Sequence, residues 1–322
     1  MDKRARIVFI VVSIVAVAAI ALYVLVGVGA MSDRVRAFIL PRRLMEVLAI
    51  FLVSVSVAYS SVIFQTITNN RILTPGVIGF ESVYMFVQTV IVFAFSSGSY
   101  FITAAPNFIL SIAVMMLFSL LIYYMMFKRG EGRNIYFLLL AGMILGTMFT
   151  SLTTFMQMMI DPSEFMIVQA RMFASFNAIN QALVFISIGA VGLTVLLSLP
   201  IVRYLDVMSL GRETAISLGV NHSKLSKQFL FIIAVLVSVS TALVGPVIFL
   251  GVLVTNLTYQ LVKTHKHVYI IPTCVAVTTV ALVGGQYLVG RVLNFSTTLS
   301  IIINFVGGIY FLSLLLRENK SW

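Results

Sequence analysis

Ten apolar stretches of about 20 residues each dominate this 322-residue chain and are separated by short polar turns. They run roughly over 6–28, 43–66, 78–97, 107–127, 134–158, 179–204, 225–243, 247–263, 268–291 and 298–316. A helix of ~20 apolar residues crosses the ~30 Å hydrocarbon core of a bilayer, where the backbone must satisfy its own hydrogen bonds. The chain is 61% hydrophobic and 10% charged, against about 25% charged in a soluble domain. These features predict an all-α polytopic membrane protein of about ten spans, forming one membrane domain over residues 1–322. The eighth stretch is short and carries Asn256 and Gln260, which places it among other helices. The first apolar run, Ile7–Gly27, exceeds the roughly 7–15 residues of a signal-peptide core, so a retained helix is expected.

The net charge of +11 lies in short loops, where it sets topology and does not describe a nucleic-acid surface. With a cytoplasmic N-terminus, 15 basic residues fall inside, including Lys128, Arg129, Arg133 and Lys320, and 6 fall outside. The excess predicts both termini in the cytoplasm. Four of the outer six cluster at Arg34, Arg36, Arg42 and Arg43, beside Pro41. They are either interfacial snorkelling groups or a basic docking surface for an acidic external partner. The same count puts the longest polar interruption of the C-terminal half, Asp206–Lys227, in the cytoplasm. It reads as a short helix capped by Ser209 and ended by Gly219, with Thr214, Ala215, Ile216 and Leu218 giving a partly apolar face. Such a helix has no lipid to bury against and calls for a protein partner.

Catalytic and energy-converting signatures are missing. No GxxxxGK[ST] loop, HExxH or GxSxG occurs, and one cysteine, Cys274, excludes an intrachain disulfide. His222, His265 and His267 fall in cytoplasmic turns and read as solvated loop residues. Glu46 and Glu81 sit near helix starts, by an interface, so no mid-depth carboxylate offers ion coupling. The Thr147–Gln157 segment, with Thr147, Thr150, Ser151, Thr154 and Gln157 among methionines, is either helix–helix glue or a pathway lining. Two Gly/Pro breaks, Asn69–Glu81 and Gly245–Gly251, follow helices 2 and 7. By the topology count they lie on opposite sides of the membrane, as an inverted repeat of helices 2–5 and 7–10 would place them.

Six segments, in order, resemble one family. Leu40-Pro41-Arg42, Asn70–Gly79 (NRILTPGVIG), Leu138–Thr153, Gly211–Val220 (GRETAISLGV), Gly245–Gly251 (GPVIFLG) and Ile303–Arg317 are similar to motifs of the iron-siderophore and vitamin B12 ABC permeases, the FecCD family. The Thr74-Pro75 and Gly79-Phe80-Glu81-Ser82 variants look like the subgroup importing ferric catecholate siderophores such as petrobactin, anguibactin or enterobactin.

The resemblance implies a type II importer architecture in a bacterial cytoplasmic membrane. It also implies a second permease subunit, commonly a different chain in that subgroup, two cytoplasmic ATPases and an extracytoplasmic binding protein. No cofactor is expected on this chain, since ATP and Mg would be held by the ATPases. Gly211, Arg212, Glu213, Thr214, Ala215, Leu218 and Gly219 would form the coupling helix. Arg42 matches the second arginine of the family's docking motif and Arg291 stands at a similar outer place. The first arginine is Ile39 here, with Arg36 or Arg43 as substitutes. Vitamin B12 or haem import on the same fold, and secondary transport, are the alternatives.

Overall fold

The computed structural model describes residues 2–26, 32–95, 104–127, 135–177, 179–295 and 297–318. Lys128, Arg129, Arg133 and Lys320 of the orientation count lie outside them. Thirteen α-helices follow one another among the described residues: α1 (Asp2–Leu25), α2 (Asp33–Thr68), α3 (Phe80–Phe95), α4 (Ala104–Phe127), α5 (Ile135–Gln157), α6 (Pro162–Arg171), α7 (Gln181–Val202), α8 (Leu205–Met208), α9 (Arg212–Ser217), α10 (His222–Val244), α11 (Leu250–Val262), α12 (His267–Arg291) and α13 (Leu299–Glu318). Seven are long and apolar enough to cross a membrane, and α3, α11 and α13 are shorter apolar helices. Together they account for the ten spans.

α2 is the axis of the bundle. It packs against α10, α12, α7 and α11, and its inner two-thirds is buried. At 36 residues it is about 54 Å long, well beyond a bilayer core. The expected helix start at 43 is therefore wrong by ten residues. Pro41 sits inside α2, and the basic segment Arg34–Arg43 is helical rather than a loop. A proline seven or eight residues from a helix start costs one backbone bond, which the flanking turns tolerate. At its other end Asn69 adopts the left-handed conformation and returns its N–H to Gln65 and Thr66.

The two Gly/Pro breaks start at opposite ends of the bundle, as expected: the first follows Thr66, which sits on His267 near the hairpin, and the second starts at Gly245 against Ala174, near the Arg42–Asn177 contact. Each turns back into the body of the protein, and there they meet. Gly251 approaches Ser61 of α2 and Thr74 of the first break so closely that a Cβ at Gly251 would collide with the Ser61 hydroxyl. Ser61 is seven residues before the end of α2, about 10 Å from it, and Gly251 is about 18 Å of helix from Lys263. α2 and α10 pack directly on one another. An inverted pair of halves is thus compatible with breaks that converge at depth. Hydropathy located the polar interruptions, but not the direction in which the chain continues after them.

Close backbone approach fixes α5 to the first break. Pro75–Ile78 forms a 3-10 turn ended by Gly79 at φ +97°. A Cβ on Gly142 would stand 2.8 Å from both Cα and O of Ile78, and one on Gly79 would stand 2.9 Å from Cα of Gly146. Gly142 and Gly146 are four apart and present one bare helix face, the small-xxx-small device of membrane helix packing.

Candidate functional site: an outer basic cluster, a polar stripe and a cytoplasmic hairpin

At the outer end, α1, α2 and α12 bring charged groups together that are far apart in sequence. Arg42 donates from Nη2 to the Asn177 carbonyl at 2.8 Å, and its Nε lies 3.4 Å from Glu46. Tyr23 donates to the other Glu46 oxygen at 2.6 Å. Arg291 donates to the Val26 carbonyl at 2.9 Å, and Gln286 donates to the Asn177 side chain at 2.6 Å. Arg36 pairs with Asp33 at 3.6 Å. Of the four arginines read as docking residues, Arg43 is committed elsewhere. Its Nη1 donates to the carbonyls of Tyr23, Val24 and Val26 and so caps the end of α1, satisfying acceptors that the helix leaves open. Arg42, whose side chain is 61% exposed, and Arg291 remain at the surface.

α5 divides the five polar residues read from its sequence. Thr150 Oγ1 lies 3.0 Å from Ser82 Oγ on α3, and Gln157 donates to Thr89 on α3 at 3.4 Å. These two hold α5 to α3. Thr147, Ser151 and Thr154 form an exposed stripe with Met143 and Met158, and Thr150, though bonded to Ser82, is exposed beside it. Each of the three hydroxyls donates back to the carbonyl one turn earlier, at 2.9–3.0 Å. This lets them face an apolar or a partly wet environment without an orphaned donor. Beyond them, Thr154, Gln157, Met158, Ile160, Pro162 and Phe165 line a shallow, open cavity of about 400 Å³. Its far wall belongs to α6, a ten-residue helix between the expected spans 134–158 and 179–204.

Glu81, read as interfacial, lies between the two breaks. Its carboxylate shares a cavity of about 40 Å³ with Ser60, Ser61, Thr74, Ser240 and Thr241.

On the cytoplasmic side, the single short helix expected over 206–227 is a hairpin of two, α8 and α9. Ser209 is not the cap of α9. Its hydroxyl donates to the Asp206 carbonyl at 2.8 Å, and Gly211, at φ +94°, occupies the N-cap position. The end of α9 is as the sequence indicates. Gly219, at φ +80°, donates to Ile216, and Val220 donates to Ala215. These paired bonds are the Schellman closure, whose left-handed position favours glycine. Ala215 is buried, whereas Arg212, Glu213, Thr214 and Leu218 are exposed. Leu210, Ile216 and Leu218 are 58%, 52% and 60% exposed on one short segment. His222, Lys224 and Lys227, read as a flank before helix 7, belong to the first turns of α10, which Asn221 caps through Lys224 N–H at 3.0 Å.

The histidine reading fails for His267. It is 3% exposed and held by Asp206 and Thr66. Partial burial pushes the Asp206 carboxyl up, but the hydrogen bonds from His267 outweigh it and hold the group below the ordinary carboxylate range. Among the described residues no group of three or more His, Cys, Asp or Glu side chains is arranged to hold a metal.

Comparison with known proteins agrees with this geometry. The petrobactin import system permease protein YclO of Bacillus subtilis is 54% identical over 286 residues, covering 88% of this chain and 90% of YclO. The petrobactin import system permease protein FatC of Bacillus anthracis is 36% identical, covering 87% of this chain and 79% of FatC. A solved structure of a metal-chelate type ABC transporter in an inward-facing conformation superposes with a TM-score of 0.83 at 21% identity. It covers 97% of this chain and 99% of that one, and shows the shared fold. The model of the FecCD transport family matches residues 5–317. The chain is therefore a multi-pass membrane permease belonging to the FecCD transport family.

Proposed function

We propose that this chain is one permease subunit of an ATP-driven importer for ferric siderophores of the catecholate class, with a petrobactin-type complex as substrate. The observation that carries this is the extent of its likeness to YclO, 54% identity over 88% of this chain. The geometry supports a division of labour. Arg36, Arg42 and Arg291 form the outer docking surface for a binding protein. The Thr147–Ser151–Thr154 stripe and the cavity beyond it face the substrate route, completed by a second permease subunit, in that subgroup a different chain. The exposed apolar and charged face of α9 meets an ATPase, which supplies the ATP and Mg chemistry. A cargo-loaded binding protein recognises the siderophore, so the permease needs only a weak, sliding contact of hydroxyls and methionines. Vitamin B12 or haem as cargo on the same fold is the second reading, and binding by the cognate binding protein separates them.

Proteoliposomes carrying this chain with its permease partner and ATPases accumulate ferric catecholate siderophore only when the loaded binding protein and ATP are both supplied. Uptake without nucleotide, driven by a proton or sodium gradient, overturns the proposal.

Arg42→Glu tests the outer surface. Docking is a contact between exposed charges, so reversal weakens binding-protein affinity about fivefold at low salt and much less at high salt. Unchanged affinity at low ionic strength removes Arg42 from the docking surface.

A further inference from the structure

We infer that Asp206, His267 and Thr66 form a polar strut that ties the α8–α9 hairpin to the membrane helices and sets the register in which hairpin movement is passed on. The backbone N–H and the ring Nδ1 of His267 both bond Asp206 Oδ1, at 2.8 and 2.6 Å. The ring Nε2 lies 2.8 Å from Thr66 Oγ1. Thr66 in turn donates to the Val62 carbonyl of its own helix at 2.8 Å. The first residue of α12 is thus clamped on one side to the start of the hairpin and on the other to the last turns of α2. The neighbouring residue Gln65 extends the link by donating to Thr255 of α11 at 2.9 Å.

Two physical points single out this strut. The hairpin also buries two apolar side chains, Leu205 and Met208. Apolar contact is non-directional and lets surfaces slide. Hydrogen bonds of 2.6–2.8 Å fix both distance and angle. The imidazole is also buried with a partner at each nitrogen, so removing it cuts the link between Asp206 and Thr66, leaving only the backbone N–H of residue 267 on Asp206. His267 acts through Asp206 and Thr66 and is a positioning residue.

This inference rests on the reading of α9 as the element that engages the ATPase, and the test keeps the two apart. The complete importer is reconstituted in proteoliposomes with His267→Ala, Asp206→Ala, the double variant and His267→Gln. Siderophore imported per ATP hydrolysed is measured, together with ATPase co-purification. Each single alanine variant lowers the ratio about tenfold with ATPases still bound, as expected for the loss of coupling between two sites. The double variant is no worse than either single, because the two residues act through one link. His267→Gln, which keeps an amide able to bond on one side, restores part of the ratio. Should His267→Ala fail to assemble, Asp206→Ala decides, since that side chain is partly exposed and leaves no cavity. An unchanged ratio in the assembled alanine variants overturns the strut, as does a loss that tracks failure to bind ATPases. If Gly219→Pro also leaves uptake intact, the reading of α9 itself has failed.

Discussion

Gly219→Pro abolishes ATP-driven uptake while the permease still reaches the membrane folded. Proline is locked near φ −65° and cannot adopt the +80° that closes α9. It also removes the N–H that Gly219 donates to Ile216. The Schellman closure opens, and the exposed face of Leu210, Ile216 and Leu218 loses its fixed shape. Nothing lies within 4 Å of a Cβ at this position, so the effect is conformational and local. Glu213→Arg gives the same outcome by another route. It reverses an exposed charge in the first turn of α9, without touching a buried group. In both variants uptake falls by at least tenfold, roughly the loss of a 1–3 kcal/mol coupling free energy. Membrane abundance and binding-protein affinity stay within about twofold, as for surface substitutions away from the core. Normal uptake in both variants would dismiss the hairpin as the coupling element.

The end of α9 was legible because its signal is local: a glycine follows a short run with helical spacing. The same holds for the ten spans, which hydropathy marks without reference to partners. What escaped the sequence depends on groups that meet only after folding. His267 lies 61 residues from Asp206 and 201 from Thr66, so nothing beside it in the chain announces that it is buried. Arg43 looked like its neighbours Arg36 and Arg42, yet the carbonyls at the end of α1 claim it. The apolar run of helix 2 starts at 43, after Pro41, but α2 begins at Asp33 and continues through the proline. Glu81 was placed by counting from the nearest helix start, and that start proved to lie inside the body beside a returning break. The polar residues of α5 were found as a group. Their division into a side facing α3 and a side facing outward needed the rotation of the helix, which hydropathy leaves open.

Gly142→Leu eliminates the folded permease. The obstruction is backbone, since a single added carbon would sit 2.8 Å from both Cα and O of Ile78. Neither atom belongs to a side chain that can swing away. Overpacking of this kind costs about 3 kcal/mol or more, enough to displace α5 from the first break. The internal control is Gly189→Leu on α7, where nothing lies within 4 Å of a Cβ and the position is exposed. It leaves abundance and thermal stability in detergent unchanged. Equal stability of the two variants would show that α5 does not depend on its bare face.

The segment Thr74–Gly79 touches both halves of the molecule at once. At one end the Thr74 side chain lies under Gly251, where the second half resumes as α11, and at the other Ile78 and Gly79 lie under Gly142 and Gly146 of α5. There is no slack on the α5 side, because glycines already bring the two backbones to their closest separation, and at Gly251 the Ser61 and Thr74 side chains fill the space a Cβ would take. The turn therefore works as a gear tooth. α5 cannot shift along or about its axis without pressing on the start of α11, and the two halves are constrained to change position together.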